Sequence, residues 1–170
     1  MFKHILRAGL MLAAAWGLAF SACASFPDKP VRLVVPFPAS GAADIMARGL
    51  AHHLSATWKQ PVIIDNKGGA GGTLAAETVA KAPADGYTLL FATMGTMTIN
   101  PALYAKLRYD PVNDFAPVAL THITPRVLVV GQSLNVNTVS ELIERARKTP
   151  GRITYGSAGN GSSSHLSGAL

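Results

Sequence analysis

The sequence predicts an α/β protein, because one local pattern occurs three times along its 170 residues. Each time, a short run rich in β-branched residues is followed by a loop of small residues and then by a helical pattern. The three loops lie at 36–43, 66–73 and 156–162. A second observation agrees: the segment after the first loop has apolar residues spaced for a helix packed on a sheet.

The first 24 residues have the layout of a secretory leader. Lys3 and Arg7 precede an apolar run over 9–20, and small residues flank a cleavage site predicted after Ala24. The apolar run is short for a membrane span. We therefore expect an exported chain, with acylation of Cys23, the single cysteine, as the alternative.

The charge pattern argues against nucleic acid as a partner. The chain has 15 Lys and Arg residues, two of them in the leader, against 9 Asp and Glu. The densest basic group has no aromatic residues among its members, which are Arg145, Arg147, Lys148 and Arg152. The modest positive balance is compatible with attraction of small anions.

The first two repeats predict two strands and two helices. A strand is expected over 31–35 and a helix from 43 or 44 to 57, with Asp44 in its first turn. A second strand is expected over 62–65 and a second helix over 74–82. The first helical amides lack intrahelical partners, so the first loop suits an anion; an ordinary connection explains the same residues, and both interpretations remain open.

The rest of the chain continues the alternation. A strand is predicted over 87–92 and a short helix over 100–107, followed by apolar runs over 117–121 and 127–130. Thr138 and Glu141 fit a capping box, which predicts a helix ending before Pro150. A strand over 152–155 then leads into the third loop and the start of another helix.

The loops have backbone donors and hydroxyls but no recognisable catalytic set. The glycines at 68–72 are not closed by Gly-Lys-Ser/Thr, and Leu74 stands where a dinucleotide loop needs a small residue. Ser157 lacks the glycine spacing of a nucleophile elbow, and the histidines have no metal-ligand spacing. These features favour recognition over turnover and predict neither a cofactor nor a metal.

Several blocks in order resemble a known family, the Bug-type solute receptors of tripartite tricarboxylate transporters. The resemblance extends over 26–170. The blocks that carry it are Pro-Asp-Lys-Pro-Val-Arg-Leu-Val-Val-Pro-Phe-Pro at 27–38, Asp-Ile-Met-Ala-Arg at 44–48, Gly-Ala-Gly-Gly at 69–72, Asp-Gly-Tyr-Thr-Leu-Leu at 85–90, Asn-Pro-Ala-Leu-Tyr at 100–104, Tyr-Asp-Pro-Val-Asn-Asp-Phe-Ala-Pro at 109–117, and Ser-Ala-Gly-Asn-Gly-Ser-Ser-Ser-His-Leu at 157–166.

The resemblance implies a two-lobed periplasmic-binding-protein (type II) fold, present here as its N-terminal half. Residues 25–124 would begin lobe 1, and residues 125–170 would begin lobe 2. The implied function is capture of a small carboxylate (a di- or tricarboxylate, an amino acid or an aromatic acid) and its delivery to a membrane permease. The implied receptor is a monomer in the periplasm and not an enzyme. The alternatives are a nonfunctional truncated remnant and an α/β nucleotide-binding enzyme.

The resemblance also assigns a ligand site. Two loops would face each other across a cleft and hold the carboxylate, a third would flank it, and Asp44 would meet a donor on the ligand. The family has a glycine pair or triplet where this chain has Ser40-Gly41-Ala42-Ala43, which alters the first loop. The expected ligand-binding residues are Phe37, Pro38, Ala39, Ser40, Gly41 and Asp44; Thr93, Gly95 and Thr96; and Ser157, Ala158, Asn160, Gly161, Ser162, Ser164 and His165.

Overall fold

A computed structural model describes residues 25–170, so the leader predicted over 1–24 lies outside the described residues. Three strands and five α-helices are labelled here in chain order. The strands are β1 (Val31–Val35), β2 (Val62–Asn66) and β3 (Thr88–Leu90). The helices are α1 (Ala42–Trp58), α2 (Thr73–Ala80), α3 (Asn100–Leu103), α4 (Val139–Lys148) and α5 (Ser163–Ala169).

The strands form one parallel sheet in the order β2-β1-β3. Val31 is opposite Val62 on one side of β1, and Leu33 is opposite Leu89 on the other. The central strand is almost entirely buried, as its continuous β-branched sequence predicts for a parallel sheet covered on both faces. Because all three strands run the same way, the loops that follow them meet at one edge of the sheet.

Helix α1 covers the sheet between β1 and β2. Ala47 and Ala51 are buried, and Met46 and Leu50 pack against the cluster formed by Leu33, Val35 and Phe91. Small alanines allow the helix axis to come close to the strands, and α2 repeats this with Ala75 and Ala76. This packing fixes the start of each helix beside the end of the preceding strand.

The first half of the chain agrees closely with the sequence prediction. Both strand–helix pairs form within a residue or two of the expected bounds. The third strand is shorter than the predicted 87–92. A π-helical turn (Gly95–Ile99) precedes α3, and the helix predicted over 100–107 ends at Leu103. A π turn inside a helix is often found at a functional site.

The second half differs from the prediction. The strand expected over 152–155 does not form, because within residues 25–170 no neighbouring strand lies beside this segment to pair with it. The apolar runs at 117–121 and 127–130 are also without regular structure, and Val118 and Leu120 are more than three-quarters exposed. The predicted boundary between lobes at 124 and 125 stays a prediction. None of the described helices is long and apolar enough to cross a membrane.

Candidate functional site

The loop after β1 is held by a network centred on Asp44. The N-cap residue of helix α1 is Gly41, which offers no capping side chain, and Asp44 in the first turn accepts the backbone N–H of Ser40 at 2.8 Å instead. Arg48, one turn later, donates its Nε–H to the same carboxylate oxygen at 2.8 Å. The Asn66 amide donates to the other oxygen at 2.9 Å and to the carbonyl of Phe37 at 3.1 Å.

These contacts leave Asp44 buried, at 2% exposure, with protein donors on both carboxylate oxygens. The Arg48 hydrogen bond, followed by those from Ser40 and Asn66, lowers the pKa of Asp44 from 3.8 to about 2. The carboxylate is therefore ionised throughout the physiological range. A hydrogen-bond donor on a ligand would have to displace one of these protein partners from Asp44. The role of Asp44 in the observed structure is therefore to stabilise the first loop.

The loop after β2 contains a glycine turn, which we define as Gly69–Gly72. All four residues have positive φ angles, from 45° at Ala70 to 125° at Gly69. Gly72 admits no side chain, since a Cβ there would lie 2.8 Å from both Pro36 Cβ and Thr96 Cγ2. The N–H groups of Ala70 and Gly71 donate no hydrogen bond within residues 25–170, so the turn presents backbone donors.

The serines of the third loop form hydrogen bonds that stabilise the loop itself. Ser162 caps α5 by accepting the N–H of His165 at 3.1 Å, and its Oγ lies 3.1 Å from Ser164 Oγ. Ser164 in turn accepts the N–H of Ala158 at 3.0 Å. Ser157 accepts the N–H of Gly159 at 3.3 Å. These hydrogen bonds stabilise the conformation of the third loop, which contains neither strand nor helix.

The three loops enclose an open cleft of about 390 Å³. Its volume falls within the range of small-ligand sites, roughly 300 to 1,000 Å³. Backbone groups dominate the lining, and no lining residue in the described part of the chain carries a charged side chain. The lining residues are Pro36, Phe37, Pro38, Gly69, Ala70, Gly71, Gly72, Tyr104, Ala158, Gly159 and Asn160.

The expected site residues divide into three groups. Phe37, Pro38, Ala158 and Asn160 line the cleft. Exposed residues on the same loops adjoin the lining: Ala39, Ser40, Gly41 and Ser157. The structure does not bring the others to the lining: Asp44, Thr93, Gly95, Thr96, Gly161, Ser162, Ser164 and His165.

The residues expected at 93–96 lie behind the cleft wall. Thr96 has no exposed surface, and its hydroxyl accepts the N–H of Thr93 and donates to the carbonyl of the same residue. Gly95 is buried beneath Gly161. This segment therefore supports the loops that line the cleft without lining it.

Several lining residues were absent from the expected set, namely Pro36, Gly159, Tyr104 and the whole glycine turn. The glycines of that turn were recognised in the sequence, but no ligand role was assigned to them. Tyr104 reaches the cleft from the end of α3 and donates its hydroxyl to the carbonyl of Asn160 at 3.3 Å. The sequence did contain a local signal that Tyr104 shares a side with Asn100. The two residues are four apart, about one helical turn, after the third strand.

Within the described part of the chain, the phenol of Tyr104 is the one titratable side chain in the cleft lining. Within residues 25–170, no three side chains among His, Cys, Asp and Glu are grouped so that they could hold a metal ion. The cleft is a small volume between three loops, and its lining includes the Tyr104 phenol and the Asn160 amide. A cleft of this size at the carboxyl edge of a parallel sheet is a common place for a small ligand to bind in α/β proteins.

The family follows from comparison with known proteins. The family described as tripartite tricarboxylate transporter family receptor, TctC, matches residues 46–169, and the chain belongs to it. Protein BugT of Bordetella pertussis is 33% identical over 159 residues, which are 93% of this chain and 49% of that protein. The chain spans about half the length of the curated relatives it matches.

Solved structures show the same periplasmic-binding-protein fold. R. palustris Rpa4515 with adipate is 43% identical, with a TM-score of 0.79, covering 84% of this chain and 48% of that one. MatC (Rpa3494) from Rhodopseudomonas palustris with bound malate is 38% identical, also with a TM-score of 0.79, covering 85% and 49%. The α/β class predicted from the sequence is therefore confirmed.

Proposed function

We propose that this chain is a periplasmic receptor that captures a small carboxylate and delivers it to the permease of a tripartite tricarboxylate transporter. The observation that carries the proposal is the cleft, because three loops, two of which follow strands, surround it and place no charged side chain in its lining within the described part of the chain. A solute of the size of adipate or malate, the ligands of two similar structures, suits a volume of about 390 Å³.

The glycine turn and the first loop would hold the carboxylate. Ala70 and Gly71 supply N–H groups, and the first amides of α1 supply others together with the positive end of the helix dipole. Neutral donors bind the carboxylate without forming an ion pair with it. Because no ion pair has to be broken, the carboxylate can be released to a second protein. Asp44 would act indirectly, by holding Phe37 and Ser40 in place.

The third loop would close the opposite side of the ligand. Ala158 and Asn160 line that side, and the Asn160 side-chain amide can donate to a carboxylate or accept from a hydroxyl. Ser157 adjoins them. Ser162, Ser164 and His165 would shape the loop from behind, as their hydrogen bonds to one another indicate.

Calorimetric titration of the purified chain tests capture. Adipate and malate are the probes, and the matched controls are adipamide and 1,6-hexanediol, which keep the carbon chain of adipate and lack its charges. We expect saturable heat with one or both diacids and none with the neutral analogues. Absence of heat with every carboxylate tried, including amino acids and aromatic acids, would overturn the proposal.

Uptake measurements test delivery. Cells that carry the transporter permease but lack their own receptor should accumulate the radiolabelled diacid only when this chain is exported to the periplasm. A variant with Gly72→Val provides the control, since the added side chain would overlap Pro36 and Thr96 and distort the cleft. Equal uptake with and without the chain would contradict the delivery role.

A further inference from the structure

The third loop is seated directly on the first half of the chain, at positions that admit no side chain. A methyl group on Gly71 would overlap the carbonyl oxygen of Asn160, and a Cβ on Gly95 would lie 2.9 Å from the carbonyl oxygen of Gly161. A methyl group on Gly161 would overlap Oδ1 of Asn100. We call these contacts, made by Gly71, Gly95 and Asn100 with Asn160 and Gly161, the loop seat.

Asn100 lies at the centre of the loop seat. Its side chain has no exposed surface, and its Nδ2 donates to the carbonyl of Gly71 at 3.0 Å. Its Oδ1 is the one buried side-chain polar atom without a hydrogen-bond partner in the described part of the chain, and it faces Gly161. A buried amide oxygen without a hydrogen-bond partner destabilises the fold, so an apolar side chain of the same size would fill this space at lower cost.

Tyr104 extends the same contact to the cleft. It follows Asn100 by four residues, so both face the third loop from one side of α3. Its hydroxyl donates to the carbonyl of Asn160 at 3.3 Å while its ring lines the cleft. Asn100 thus contacts the glycine turn and the third loop at once, and Tyr104 holds the third loop at the rim.

We infer that Asn100 and Tyr104 are positioning residues that fix the third loop against the glycine turn and thereby set the width of the cleft before ligand binds. Preorganisation of this kind strengthens binding, because the ligand need not order the walls. The inference rests on the proposed function where it concerns ligand affinity.

Gly161→Ala is the decisive variant, because its methyl group meets Asn100 while the position itself lies outside the cleft lining. Gly151→Ala is the matched control. Gly151 has φ of 72° and Gly161 has φ of 81°, so alanine strains both backbones alike, yet a Cβ on Gly151 meets nothing within 4 Å. Asn100→Ala combined with Gly161→Ala removes the overlapping side chain and should partly restore the seat.

The first readout needs no ligand. Two exposed alanines, Ala56 in α1 and Ala169 in α5, are replaced by cysteine in a Cys23→Ser background and spin-labelled. Pulsed electron paramagnetic resonance then measures the distance between the two labels. We expect one narrow distribution for the parent and for Gly151→Ala, a longer and broader one for Gly161→Ala, and a return toward the parent in the double variant. An unchanged distribution in Gly161→Ala would overturn the loop seat.

The second readout is the adipate Kd. Gly161→Ala should weaken binding about tenfold or more, which corresponds to about 1.4 kcal/mol, while Gly151→Ala leaves it unchanged. If the distances respond as expected and no variant binds a carboxylate, the loop seat stands and the proposed function fails. Should Gly161→Ala not fold, Tyr104→Phe, which loses only the hydroxyl bonded to Asn160, decides by the same distance measurement, and a parent-like distribution would overturn the inference.

Discussion

Arg48 places its Nε 2.8 Å from Oδ2 of Asp44, and the two side chains differ sharply in exposure, at 56% for Arg48 and 3% for Asp44. The buried carboxylate is therefore the fixed member and the arginine covers it from the solvent side. Because Asp44 also holds Ser40 and Asn66, the pair connects the start of α1 to the end of β2. The first loop of the cleft depends on this connection.

Acid should destabilise the chain through Asp44. Its pKa is about 2 in the folded state and 3.8 ordinarily, so the stabilisation is complete above about pH 4 and disappears as the pH falls toward 2. Urea unfolding between pH 2 and 7 measures this. Glu77, Asp85 and Asp110 also have lowered pKa values, so the comparison is with Asp44→Asn, whose stability should fall less steeply below pH 4. Parallel curves would contradict the role of Asp44.

Ser40→Gly should stabilise the chain. Ser40 has φ of 68°, a left-handed conformation that costs an L-residue about 1 kcal/mol and glycine little. The N–H donated to Asp44 is kept. Glycine also gains freedom in the unfolded chain, which offsets about 0.5 kcal/mol of this relief, so we expect the free energy of unfolding to rise by about 0.5 kcal/mol, measured by urea denaturation. Ser133→Gly is the control, since that residue is not left-handed and should lose about 0.5 kcal/mol on gaining freedom. A loss of stability in Ser40→Gly would show that the side chain matters more than the strain.

The sequence predicted the elements whose signals are local. Strand β1 and helix α1 follow from a β-branched run and an apolar stripe, and α4 follows from the capping residues Thr138 and Glu141, whose two reciprocal hydrogen bonds both form. These patterns depend on residues within a few positions of one another. The strand expected over 152–155 does not form, because a strand must also pair with a neighbouring strand. The residues at 152–155 do not themselves specify such a partner.

The candidate site was predictable as loops but not as contacts. Phe37 and Pro38 line the cleft because the loop after a strand of a parallel sheet lies at the carboxyl edge of that sheet. Ala158 and Asn160 also line it, although no strand precedes their loop. Thr96 was expected at the ligand and is fully buried, whereas Tyr104 lies in the cleft lining. Burial of Thr96 involves a long-range contact, the hydrogen bond that the Tyr109 hydroxyl donates to its carbonyl, which residue spacing does not specify.

Tyr109→Phe should destabilise the fold by about 1 to 3 kcal/mol, the cost of removing one partner from a buried hydrogen bond. The Tyr109 hydroxyl donates to the carbonyl of Thr96 at 2.5 Å, and burial raises its pKa. Tyr155→Phe is a matched control, because Tyr155 is half-exposed and its hydroxyl lies 3.3 Å from the carbonyl of His165. Chemical denaturation should separate the two variants; equal effects would indicate that burial of the Tyr109 bond contributes nothing.

Thr138→Ala should loosen α4 without affecting the sheet. None of the residues of α4 is buried, and its apolar Val139 and Ile143 remain about half exposed, so the helix depends on its own capping more than on tertiary packing. Thr138 Oγ accepts the N–H of Glu141 at 3.2 Å, and the Glu141 carboxylate accepts the N–H of Thr138 at 3.3 Å. Removing the hydroxyl should cost about 1 kcal/mol, or about fivefold in local opening.

Amide hydrogen exchange distinguishes this local effect from a global one. Protection should fall about fivefold for the amides of α4 and stay unchanged for those of β1, because a peripheral helix opens independently of the core. Ser140→Ala is the control inside the same helix. Ser140 is exposed in the first turn, where alanine is the better helix former, so protection should be equal or higher. A parallel loss of protection in β1 would mean that α4 is coupled to the sheet, and the cap would then stabilise the whole fold.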